Sequence, residues 1–200
     1  MKKLLSFAAV ISLFCFVACA SPKVKRIDAD TQTDISGYWN DTDVRIVAND
    51  LIDQIISAPW YKNFIEENGR KPVVIVGTFR NKSDEHIDTT IISKKLEMAL
   101  VNSGKVKSVA NSKERQEVRD ERDEQQVNSS LETAKNIGNE TAADFMLQGD
   151  VKTIVDTNGK KSTRTYFVSA ELVNIETTDK VWLGENDTIK KSIKKPSVRF

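Results

Sequence analysis

Val73-Val74-Ile75-Val76-Gly77-Thr78-Phe79 is a continuous run of mostly β-branched and aromatic side chains, the pattern of a strand covered on both faces. The polar stretch Arg80-Asn81-Lys82-Ser83-Asp84-Glu85-His86 follows directly and reads as a loop. Beyond it, Thr89 or Thr90 opens a helix carrying Ile92, Leu96, Ala99 and Leu100 that stops at Ser103-Gly104. A short strand over 106–109 closes a β-α-β unit. Upstream, Val44, Val47, Ala48, Leu51, Ile52, Ile55 and Ile56 keep the 3.6-residue period of an amphipathic helix. Asp41, Thr42 or Asp43 is expected to cap that helix, and Ala58-Pro59 to end it. Trp60 and Phe64, one turn apart, predict a second short helix ending at Asn68-Gly69.

Downstream, residues 113–126 hold a single apolar side chain, Val118, and read as a solvated helix with Lys113/Glu117 and Arg119/Asp123 as favourable i,i+4 pairs. Ser129 with Glu132 has the capping-box spacing and predicts a helix carrying Leu131, Ala134 and Ile137. From Phe145 the period changes to two: Phe145, Leu147, Gly149, Val151, Thr153 and Val155 alternate with polar residues such as Gln148, Asp150 and Lys152. Asn158-Gly159 marks a turn, and Tyr166, Val168, Ala170 and Leu172 form one face of the next strand. A turn at Thr177-Thr178-Asp179 leads into Val181-Trp182-Leu183, completing an antiparallel three-strand meander. The expectation is one α+β domain: a mixed, mostly antiparallel sheet of four to five strands flanked by helices.

The 200 residues carry 39% apolar and 30% charged side chains, with 30 Lys and Arg against 29 Asp and Glu. That near balance gives no basic excess of the kind a nucleic-acid partner requires. One histidine and two cysteines do not make a Cys- or His-rich zinc site. No Gly-x-x-x-x-Gly-Lys or Gly-x-Gly-x-x-Gly motif occurs, so no nucleotide cofactor is indicated.

Lys2 and Lys3 precede a 15-residue apolar stretch from Leu4 to Ala18, the plan of a secretory signal and shorter than the ~20 residues of a membrane span. Its end, Phe16-Val17-Ala18-Cys19, resembles a bacterial lipobox, which implies that residues 1–18 are removed and that Cys19 is acylated. Ala20 and Ser21 follow instead of an Asp at the second position, which implies sorting to the outer membrane. Loss of the leader takes both amino-terminal lysines, leaving 28 basic against 29 acidic residues, a charge of −1. Residues 19–36 then form the lipidated cysteine and a polar tether of at most ~55 Å extended reach. Residues 37–195 form the globular domain and 196–200 a tail.

Two places invite a functional reading. His86 sits on the loop after the first strand, where recognition residues collect. Catalysis by it would need a nucleophile and an orienting acid, and sequence adjacency to Ser83, Asp84 and Glu85 does not form a triad. Gly37-Tyr38-Trp39-Asn40 sets two aromatics beside polar groups, read either as a helix cap with Trp39 folded onto the core or as a recognition edge.

The blocks Ser36-Gly37-Tyr38-Trp39-Asn40-Asp41-Thr42-Asp43, Val73–Phe79 with Arg80–His86, Asn102–Val106, Ala143–Gly149 and Glu171–Thr177 leading to Lys180–Gly184 resemble the LpoB-type lipoproteins that activate class A penicillin-binding proteins. The resemblance covers roughly residues 36–195. It implies a domain similar to the amino-terminal domain of TolB, held on the outer membrane and facing the periplasm. It also implies docking on a regulatory domain of a bifunctional peptidoglycan synthase, with no catalysis, cofactor, metal or small-molecule substrate. Trp39, Asn40, Arg80, Asn81 and His86 are this chain's candidates for the docking surface, and Cys19 for the anchor. The short tether departs from the family's best-known members, whose tether is long and Pro-rich. The alternative is an envelope assembly or secretion lipoprotein, Tol-like or curli-accessory-like, that offers a sheet edge for strand addition.

Overall fold

A computed structural model describes residues 24–28, 31–130 and 132–194. The leader, Cys19, residues 20–23 and 29–30 of the expected tether and the carboxy-terminal tail lie outside the described residues. The chain divides into two units, residues 1–31 and 32–200, and the helices and strands of the described residues lie in the second.

Two helices, α1 (Asp41–Ser57) and α2 (Trp60–Asn68), lead into β1 (Val73–Asn81). Then come α3 (Thr90–Asn102), β2 (Lys107–Val109) and α4 (Ser112–Asn128), and finally β3 (Phe145–Asn158), β4 (Lys161–Asn174), β5 (Lys180–Asn186) and β6 (Lys190–Lys194). The sheet runs β2-β1-β3-β4-β5, with β6 also on β4. β1 pairs in parallel with β2 and β3, and the remaining pairs are antiparallel. β5 meets Val168–Val173 and β6 meets Lys161–Thr165 of β4. The two therefore read as one edge strand interrupted at 187–189, where Tyr166 N–H still donates to Ile189 O at 2.9 Å. The sheet thus has a sixth strand beyond the expected four to five.

The helices α1 and α3 pack on each other and on one face of the sheet. Val47, Leu51 and Ile55 of α1 and Ile92, Leu96 and Leu100 of α3 meet Val74, Val76 and Phe79 of β1 there. Leu147 and Val151 of β3 and Tyr166, Val168 and Leu172 of β4 complete this core, all fully buried. Each such side chain contributes about 1.5–3 kcal/mol on burial. In β1 the run Val73 to Val76 is buried on both faces, as its unbroken apolar pattern requires. The register slips between Val76 and Phe79, and Gly149 makes the slip possible. A Cβ at 149 would stand 2.4 Å from the Phe79 ring and 2.3 Å from Ser169 O, so only glycine lets Phe79 cross the neighbouring strand.

Three local expectations are corrected. The cap of α1 is Asn40, one residue before the expected Asp41, Thr42 or Asp43. Its extended backbone lets Oδ1 accept from Thr42 N–H (2.9 Å) and Asp43 N–H (3.2 Å), while Asp43 Oδ2 accepts from Asn40 N–H (2.9 Å). The helix expected from Ser129 does not form. The preceding α4 runs on to Asn128 with Ser129 as its C-cap, and only one turn follows, with Thr133 and Ala134 N–H on Ser130 O. Ile137 stays 65% exposed, so it finds no packing partner, and a short helix without packing is unstable. On α4 itself, Arg119 pairs with Glu140 at 2.8 Å instead of with Asp123. None of the side chains of α4 is buried, as its composition requires.

Candidate docking surface

The segment before α1 and the loop after β1 meet at one carboxylate. Glu85, with its side chain 10% exposed, accepts from Trp39 N–H at 2.9 Å, from the Tyr166 hydroxyl at 2.6 Å and from Arg164 Nη1 at 2.6 Å. Asp84 beside it accepts from Thr153 Oγ1 at 2.6 Å and from Arg164 Nη1 at 2.5 Å. The ring of Trp39 lies 5.1 Å from that of Tyr166, tilted by 55°, and Arg164 stands over Tyr38 at 5.3 Å.

A second cluster continues the first. Lys191 lies directly across from Arg164 in the β4–β6 ladder. Its Nζ reaches Asp43 Oδ2 at 2.6 Å, Asp34 Oδ1 at 2.8 Å and Tyr38 O at 2.8 Å. Asn40 Nδ2 donates to Thr33 O and Asp34 Oδ1, so residues 33–40 are fastened along the domain. Gly37 lies flat against Ile193, where a Cβ would meet Cγ1 at 2.7 Å, and its φ of +71° suits glycine.

The electrostatics follow from this packing. Burial and then the hydrogen bond to Glu85 push the Tyr166 phenol well above its ordinary range. Burial works against the Arg164 charge, but the hydrogen bond to Asp84 and the charge of Glu85 outweigh it and hold the guanidinium above its usual value. Thr153 and then Arg164 hold the Asp84 carboxyl below its usual range. Burial raises Asp43, although Lys191 and the Asn40 N–H pull it back. These groups are bonded to one another, so the network fixes the loop and offers no free acid–base pair.

The structure brings Trp39 and Asn81 to this network and spreads the other candidates around it. The indole of Trp39 is half-buried on Tyr166. Asn81 shapes the loop: its Nδ2 donates to Glu85 O at 2.6 Å, and its Oδ1 accepts from Ser83 N–H (3.0 Å) and Oγ (2.6 Å). Asn40 is spent on the helix cap. His86 is exposed on the loop. Arg80 projects from the opposite, helix-free face of the sheet. It lines an open groove of about 680 Å³ with Lys82, Gln148, Asp150, Glu171 and Glu185. There Asp150 takes Lys82 at 2.8 Å and Lys152 at 3.0 Å, and Glu171 takes Lys180 at 2.6 Å. Sequence reasoning missed Glu85, Arg164, Tyr166, Asp43 and Lys191 as organisers. A signal existed for one of them, because Arg164 falls in phase with the buried side chains of its strand. Among the described residues no cluster of three His, Cys, Asp or Glu is placed to hold a metal ion.

Fold and surface define an α+β domain with one sheet face under helices, a charged open face, and a loop stitched rigidly beside the chain's entry. The profile of the family described as "Peptidoglycan-synthase activator LpoB" matches residues 43–188, and the chain belongs to that family. Among solved structures, the chain is similar to the LpoB C-terminal domain from Escherichia coli, at 15% identity and a TM-score of 0.43, covering 76% of this chain and 99% of that one. It is similar to the LpoB C-terminal domain from Salmonella enterica, at 16% identity and a TM-score of 0.35, covering 68% and 94%. The lipoprotein GNA1162 from Neisseria meningitidis is a further likeness, at 11% identity and a TM-score of 0.34, covering 65% and 88%. No curated protein matches the chain.

Proposed function

We propose that the chain is a lipoprotein held by acyl chains on Cys19 in the outer membrane, facing the periplasm. Its domain activates a class A bifunctional penicillin-binding protein by direct contact with that enzyme's regulatory domain. The observation that carries this reading is the family match over residues 43–188, supported by the lipobox-like Phe16-Val17-Ala18-Cys19. The protein acts as a regulator and not as an enzyme: it takes no cofactor, small-molecule substrate or nucleic acid, and works by favouring the active synthase conformation.

The docking surface is assigned to the end of β1. Arg80 and His86 supply accessible contacts, while Trp39, Asn40 and Asn81 hold the loop and the entering segment in shape. A photoreactive residue in place of His86 should capture a class A penicillin-binding protein in intact cells. Arg80→Glu combined with His86→Ala should weaken binding to that enzyme at least about tenfold, a loss of about 1.4 kcal/mol. Capture of a Tol-like or secretion complex alone would reject the reading in favour of the assembly alternative. Unchanged affinity of the double variant would move the docking surface elsewhere.

A further inference from the structure

Four lysines crowd one end of the sheet. Lys160 and Lys161 form the end of the β3–β4 hairpin. On β6, Lys194 stands directly across from Lys161, and Lys190 across from Thr165. All four are exposed, and none joins an ion pair among the described residues. By contrast Lys82, Lys94, Lys152 and Lys180 each hold a carboxylate. Like charges placed directly opposite in a ladder repel and cost stability. One acidic side chain, Asp156 across from Thr163, lies within this stretch of the ladders, and Asp187 sits in the break before β6. Ile154 shares the outward face and is 62% exposed. A net cationic end, four lysines against Asp156 and Asp187, with an exposed aliphatic side chain fits an anionic surface.

The path of the chain says which surface. Residues 34–38 are fastened along β6, by Lys191 on Asp34 and Tyr38 O and by Gly37 on Ile193. Asp34, near the start of the domain, therefore lies beside Lys191, on the strand that carries Lys190 and Lys194. Residues 19–31 span at most ~45 Å when extended. In sequence they carry Lys23, Lys25 and Arg26 ahead of Asp28 and Asp30, and Lys195 and Arg199 follow β6 with no acidic side chain. We propose that this lysine end rests on the anionic headgroups of the leaflet that holds the acyl chains, as a second attachment beside the lipid. The proposal rests on the reading of Cys19 as the anchor. Acyl chains concentrate the domain at the surface. Clustered lysines are then attracted by anionic lipid over a distance of about a Debye length, ~8 Å at physiological salt.

The mature, lipidated full chain, reconstituted on vesicles and labelled with an amine-acylating reagent, tests this. On vesicles with about one third phosphatidylglycerol, acylation of Lys160, Lys161, Lys190 and Lys194 should slow at least about threefold relative to pure phosphatidylcholine. Lys62 and Lys113, on α2 and α4, serve as controls and should change less than that. The protection should disappear at about 0.5 M salt, where screening shortens the Debye length. Equal rates at the four lysines on both vesicles would overturn the proposal. So would protection by inorganic phosphate added to neutral vesicles, which would mark a free-anion site instead of a membrane contact. Flotation with neutral vesicles reads the anchor separately. A chain that fails to float refutes acylation of Cys19, while the lysine rates on anionic vesicles still decide the charge contact.

Discussion

Three donors converge on the Glu85 carboxylate, from the backbone of Trp39, the phenol of Tyr166 and the guanidinium of Arg164. Removing the charge leaves Arg164, 9% exposed at its side chain, facing Asp84 alone, and a buried cation short of its anion is costly. Glu85→Gln should lower stability by about 2 kcal/mol, read by chemical denaturation. It should also loosen the 82–89 loop, read by faster amide exchange there. A variant as stable as the parent, with unchanged exchange, would show that the network does not hold the loop. Part of this site is legible in the sequence: the loop after β1 and the aromatic segment before α1 both stand out there, and they do meet. The sequence does not show that Glu85, one acid among several on a polar loop, is the residue that joins them, because that contact spans 46 positions. Arg164 is more legible than it looks. It breaks the period-two apolar face of Tyr166, Val168 and Ala170, and a charge in that phase must find a buried partner.

At the scale of elements, the strongly periodic segments α1, α3, β3 and β4 follow from their side-chain spacing, and the parallel β1–α3–β2 unit follows from the unbroken apolar run. The failures fall where local pattern competes with context. Ser129 and Glu132 have capping-box spacing, yet Ile137 finds no core to pack on, and α4 takes Ser129 as its own end. The pairing of β6 with β4 was not legible, since five residues, Lys190-Lys191-Ser192-Ile193-Lys194, carry too little alternation to reveal their partner. The tightest element-scale constraint is at Gly149, where β1, β3 and β4 crowd one Cα. Gly149→Ala should cost about 3 kcal/mol, because a neighbouring carbonyl cannot withdraw as a flexible side chain can. A Tm unchanged from the parent would mean that the Val76–Phe79 slip does not depend on that close approach.

Across the whole molecule, acid acts mainly through carboxylates. Among the described residues the carboxyls of Asp34, Asp84, Asp88, Glu140, Asp144, Asp150 and Glu171 are held below their ordinary values, and that of Asp43 is raised. At Asp150 burial opposes the charge, but Lys82, Lys152 and Ser169 prevail and bring it down to about 2. Arg119 holds Glu140 at about 2 as well. A carboxyl lowered by folding adds stability that is complete above its unfolded value, near 4, and is lost as pH falls toward the folded value. Asp43 works in the opposite sense, so the net curve follows the seven. Unfolding free energy should be flat above about pH 5 and fall between about pH 4 and pH 2. Asp150→Asn should make that decline shallower, as measured by denaturation at a series of pH values. A decline beginning near neutrality would assign the loss to a different group.

The regulatory role is tested most directly by glycan polymerisation. The mature lipoprotein in detergent, added to its cognate class A synthase, should raise the rate of lipid-linked precursor consumption severalfold and saturably. The Arg80→Glu, His86→Ala protein should give a much smaller rise at the same concentration. A synthase whose rate stays unchanged at saturating lipoprotein, with no complex formed, would contradict the account.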